Sequence, residues 1–145
     1  MNIKRIINVG KDSSFYPVTK EEISEAEQAL NLTFPKELKD FYLEVGYGFI
    51  KGSGENVNRV MDPYSVRDFR LRQNDFEFYQ DIETYDNYEN GKLIFFESDE
   101  SALISIELCD SERSKIYYYD TVIANSLEEF VKKIQEDDSY FIGKL

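Results

Sequence analysis

Between Val18 and Ile50 the chain carries two consecutive helix patterns, each with its own start and stop, and this constrains the fold more than any other stretch. Thr19 is placed to cap the first helix, and Glu22, three residues on, can complete a capping box. Ile23, Ala26, Ala29 and Leu30 follow at spacings of three and four, which puts them on one face. Asn31 suits the helix end because it tolerates left-handed backbone. Pro35 fits the first turn of the second helix, where its missing N–H costs nothing. Leu38, Phe41, Tyr42 and Val45 form that helix's apolar face, and Gly46 can end it.

A layer for these helices to pack on is legible from Asn90 onward. Asn90-Gly91 is a turn signal. Three strands follow: Lys92 to Glu97 with Leu93-Ile94-Phe95-Phe96 at its centre, Ala102 to Leu108, and Lys115 to Asp120. Their connections, Asp99-Glu100 and Asp110 to Ser114, are short, which predicts an antiparallel meander. In such a strand Tyr118 faces opposite to Tyr117 and Tyr119. Ser126 and Glu129 form a second capping box, and Leu127, Phe130, Val131 and Ile134 give the last helix its buried face. Tyr140-Phe141-Ile142 reads as an apolar end docked on the body.

The remaining segments are less patterned. Ile3, Ile6 and Ile7 suggest a short N-terminal helix, and Asp12 to Tyr16 a loop. Gly46, Gly48, Gly52 and Gly54 mark turns around short strands at Phe49-Ile50 and Val57 to Met61. Asp62-Pro63 starts a helix running from Tyr64 to about Arg72. Asn74 to Asn90 is polar, acidic and aromatic, and is compatible with helix, strand or ordered loop. The chain has 145 residues, 41% of them hydrophobic, enough for one compact domain spanning residues 1–145. The predicted class is α+β: N-terminal helices packed on a mostly antiparallel sheet, with a C-terminal helix.

Thr19, Ile23, Glu27, Leu30, Phe34, Pro35, Phe41 and Gly46 or Gly48 together resemble the opening motif of the SUKH superfamily, which includes bacterial immunity proteins and fungal cell-wall assembly regulators of the Smi-Knr type. The resemblance continues from Lys92 to Ile134, where strands precede the Ser126-Leu127-Glu128-Glu129-Phe130 helix start. Phe34 stands where the family usually has leucine before the proline, and keeps that position apolar. The motif is structural, not catalytic. It implies an immunity protein that neutralises a cognate toxin, many of which are nucleases in this family. Its fungal branch implies an alternative: a non-catalytic intracellular scaffold or regulatory module that binds other proteins.

The residues themselves argue against catalysis. There is no histidine, which removes the commonest general base and the usual nucleophile pairs. Cys109 is the only cysteine, so no internal disulfide forms, and a metal site or cofactor is not expected. Cys109 reads as an inert structural thiol. Gly52-Ser53-Gly54 lacks the Lys-Ser/Thr of a phosphate loop and reads as a turn. Asp81, Glu83, Asp86 and Glu89 do not follow a calcium-loop pattern. Glu136-Asp137-Asp138 opposes the helix dipole and reads as a solvated tail. No secretory signal or membrane-spanning run is present, which predicts a cytoplasmic location and no membrane partner.

Charge and aromatics carry the functional signal. Lys and Arg total 17 against 29 Asp and Glu, a net charge of −12. Such a surface repels phosphate backbones, so no direct nucleic-acid binding is expected, whereas a basic protein partner would be attracted. There are 11 Tyr and 11 Phe, and aromatics interleave with acids between Asp75 and Tyr88. Two readings fit that stretch. It is an ordinary strand or loop whose aromatics fill the core, or a protein interface rich in rigid tyrosines. On the interface reading, Asp75, Glu77, Asp81, Glu83, Asp86 and Glu89 supply the electrostatics, and Tyr79, Tyr85 and Tyr88 the anchors.

Overall fold

A computed structural model describes residues 14–52, 54–99 and 102–142. The helix expected around Ile3, Ile6 and Ile7 lies outside these residues. Seven strands form one antiparallel sheet, ordered as in the chain: β1 (Ser14–Tyr16), β2 (Tyr47–Phe49), β3 (Arg59–Val60), β4 (Lys92–Asp99), β5 (Ala102–Glu107), β6 (Ile116–Tyr118) and β7 (Thr121–Ala124). Helices α1 (Lys20–Leu30) and α2 (Lys36–Glu44) connect β1 to β2, α3 (Pro63–Leu71) follows β3, and α4 (Leu127–Glu136) follows β7. The α+β architecture is the predicted one, with a wider sheet.

The helix signals act locally and hold almost to the residue. The Thr19 hydroxyl accepts the Glu22 N–H at 3.1 Å, that of Ser126 accepts the Glu129 N–H at 3.0 Å, and Asp62 caps α3 by accepting the Ser65 N–H at 3.2 Å. Asn31 adopts the left-handed conformation at the end of α1, with φ 53°. Pro35 sits one residue earlier than expected: it is the cap, and the helix begins at Lys36. In α1 the inward stripe is Ile23, Ala26, Glu27 and Leu30, while Ala29 is exposed. Glu27 uses its position: its carboxylate accepts the Phe34 N–H at 2.7 Å and pairs with Lys39 at 3.4 Å, fixing the link between α1 and α2.

The strands differ more from expectation. Ser14 to Tyr16 is not loop but edge strand, paired with Tyr47–Phe49, because its partner lies more than thirty residues away and leaves no local signal. β2 and β3 are displaced or shorter than read, and β7 completes a hairpin with β6. Tyr119 lies in that hairpin turn with φ 56°, so strand alternation does not apply to it, and its ring lies 4.7 Å from Tyr118. In β4, Leu93 through Phe96 are all buried, which explains a continuous apolar run in place of alternation. A register shift between Ile94 and Phe96 brings both Phe95 and Phe96 within ring contact of Phe130 on α4, at 6.3 and 5.0 Å.

Two buried carboxylates stitch distant elements together. Glu37 on α2, 3% exposed, accepts N–H groups from Ser114 at 2.8 Å, Leu127 at 3.0 Å and Glu128 at 3.4 Å. The last two are the first amides of α4, which otherwise lack partners and carry the positive end of the helix dipole. Asp138 corrects the reading of a solvated tail. Glu136 and Asp137 are exposed, but Asp138 is 2% exposed and accepts from the Gly54 N–H and the Asn58 amide, each at 3.2 Å. A Cβ at Gly52 would lie 2.6 Å from the buried Asp138 carboxylate and 2.8 Å from the Asn58 amide nitrogen, so glycine is required at this position. Phe141 docks in the core as expected, Tyr140 is half-buried, and Ile142 is exposed.

Candidate interaction surface

The acidic, aromatic stretch resolves into two short 3-10 segments, Asn74–Phe76 and Ile82–Tyr88. Arg72, Asn74 and Asp81 all have positive φ, which breaks any longer helix or strand. The segment is anchored from behind. Phe69 of α3 takes edge contacts from Phe76 at 5.2 Å, Tyr79 at 6.1 Å and Tyr85 at 6.0 Å. Ile82 and Tyr85 are buried. The Tyr85 ring stacks on Tyr119 at 5.8 Å and 12°, and Tyr88 meets the same ring edge-on at 5.2 Å. Burial, followed by its hydrogen bond with Tyr119, pushes the Tyr85 phenol well above its ordinary pKa.

Arg72 ties the two ends of the stretch. Its guanidinium donates to Glu89 at 3.0 Å, to Asp86 at 2.7 Å and to the Phe69 carbonyl at 2.7 Å, and lies 5.0 Å over the Phe69 ring. Burial opposes the Arg72 charge, but the bonds to Glu89 and Asp86 outweigh it and raise the pKa. For Glu89 the balance reverses: burial raises its pKa more than Arg72 lowers it.

The nine residues singled out from the sequence therefore fall into two groups. Tyr85 and Glu89, with Asp86 at the rim, build the segment, and Tyr79 and Tyr88 are half-buried. Asp75, Glu77, Asp81 and Glu83 point outward and make no ion pair among the described residues. Phe78, not selected from the sequence as an anchor, is 90% exposed in their midst. Interleaving of aromatics with acids signalled the stretch, but could not say which ring faces out.

The segment and the sheet enclose an open cleft of about 570 Å³. Tyr79, Tyr85 and Tyr119 provide its rings, and Asp81 and Glu97 its charges, with Gln80 and Thr84 between. Glu97 accepts from Arg59 Nε at 3.1 Å. Gln80, Thr84, Glu97 and Tyr119 were not legible as cleft residues, because the lining joins three separate stretches of chain.

The chain belongs to the SMI1/KNR4 family (SUKH-1), whose model matches residues 17–133, a span that includes the whole acidic segment. Among its relatives is the immunity protein YxxD of Bacillus subtilis (strain 168). The two are 63% identical over 139 residues, covering 96% of this chain and 95% of that protein. Among the described residues no helix is long and apolar enough to cross a membrane.

Proposed function

We propose that this chain is an immunity protein that binds and neutralises a cognate bacterial toxin through the face built on residues 74–89. The carrying observation is that four exposed carboxylates, Asp75, Glu77, Asp81 and Glu83, which make no ion pair among the described residues, flank the projecting Phe78 in sequence on a segment anchored from behind. A relative at 63% identity named an immunity protein supports the same reading. An exposed aromatic on a segment rich in tyrosine matches the aromatic enrichment of protein interfaces. The net charge of −12 favours a basic partner. A nuclease fits this chemistry, because it needs a basic groove to hold phosphates. The carboxylates would then occupy that groove or lie beside it in place of phosphate.

The test has two parts. Co-expression with a candidate cognate toxin domain should restore growth of poisoned cells. The purified pair should associate at least about tenfold more slowly in high salt than in low salt. An association rate indifferent to salt and to charge reversal at Asp81 and Glu83 would remove the phosphate-mimic part of the reading.

A further inference from the structure

We propose that the cleft between Tyr79, Tyr85 and Tyr119 is a socket for one arginine side chain of the bound partner. The proposal rests on the reading of the chain as an immunity protein and names the chemistry its surface grips. The walls are aromatic and rigid. Tyr85 is buried and stacked on Tyr119 at 5.8 Å, while Tyr79 is held edge-on against Phe69 at 6.1 Å. Among the described lining residues there are two carboxylates and no lysine or arginine. Glu97 already accepts from Arg59, so Asp81, exposed and without an ion pair among the described residues, supplies the uncompensated charge. Gln80 and Thr84 add polar oxygens to the lining.

An anion is repelled by this lining, and an apolar side chain would desolvate the carboxylates without replacing their hydrogen bonds. A cation gains from the charge of Asp81 and from the aromatic lining beside it. The planar guanidinium is favoured over an ammonium because it stacks on tyrosine while its N–H fork reaches a carboxylate. Phe78, next in sequence to Tyr79 and 90% exposed, would add apolar contact with the partner's surface.

The test uses the full-length chain, isotopically labelled, titrated with N-acetylarginine amide and, separately, with N-acetylcitrulline amide. Citrulline keeps the shape and removes the charge. The arginine compound should shift the amides of residues 79–85, 97 and 119 and saturate in the millimolar range, with the citrulline compound inert. Asp81→Asn should weaken the arginine response about fivefold. That variant should keep the fold, because asparagine tolerates the left-handed backbone at Asp81, φ 59°. Equal responses to the two compounds, no response at tens of millimolar, or an Asp81→Asn titration identical to the unaltered chain would overturn the socket. Failure of the immunity reading shows elsewhere, as absence of growth rescue by the unaltered chain, so the two cannot be confused.

Discussion

Glu37 and Asp81 are both carboxylates on short helical or turn segments of a chain with a −12 net charge, yet they do opposite work. Glu37 is sealed in the interior with three amide donors, two of them at the start of α4. Asp81 faces solvent on a left-handed residue and makes no ion pair among the described residues. The difference is supplied by what the fold brings up to each. Donors from 77 and 90 residues away converge on Glu37, whereas Asp81 is left at the lip of a cleft whose other charge is already engaged. An acidic composition is therefore a mixture of structural and outward-facing carboxylates.

The largest effect expected from breaking this contrast is at Glu37. Glu37→Ala leaves the Ser114 N–H and the α4 N-terminus without acceptors in a buried place, at a cost of about 3–5 kcal/mol. Urea unfolding measures it. A loss under about 1 kcal/mol would mean that water replaces the carboxylate and that α4 does not depend on it.

Arg72 lies between the two extremes, since it holds the acidic segment without being in the core. Arg72→Ala strands the mostly buried Glu89 and frees Asp86, and should cost about 2 kcal/mol. Glu89→Gln should cost less than about 1 kcal/mol, because burial already works against the Glu89 charge. Its raised folded-state pKa means that ionised Glu89 opposes folding: its contribution is most favourable below the unfolded carboxylate range and declines as pH rises through the folded value. Urea unfolding at several acidic pH values should therefore show the unaltered chain losing stability relative to Glu89→Gln as pH rises. If the two variants cost the same, the pair stabilises through Glu89 after all.

What could be read in advance follows the range of the forces. The caps at Thr19, Asp62 and Ser126 and the buried stripe of α4 involve residues within a few positions of each other, and the chain states them directly. β1 and β3 have three and two residues, and only partners far along the chain make them strands. Glu37 and Asp138 gave no signal for the same reason: their donors are 77 to 91 and 80 to 84 residues distant. The segment from Asn74 to Glu89 was visible as a candidate surface, but its 3-10 geometry follows from three positive-φ residues and a ring cluster on Phe69, neither of which leaves a period.

The smallest stability effect is expected at Phe78, where the proposed interface predicts a large effect on binding. Phe78 is 90% exposed, so Phe78→Ala removes almost no buried surface and should leave unfolding within about 0.5 kcal/mol of the unaltered chain. A phenylalanine projecting into water gains almost nothing for the fold, so its truncation separates a role in binding from one in stability. On binding it would bury its whole side chain. Its truncation should therefore weaken toxin affinity by at least about tenfold, mainly through faster dissociation, while acid-to-amide changes at Asp75 and Glu77 should mainly slow association. Surface-binding kinetics on the purified pair separate the two. An unchanged dissociation rate in Phe78→Ala, with unfolding also unchanged, would place the contact on another face and leave Phe78 an unused ring.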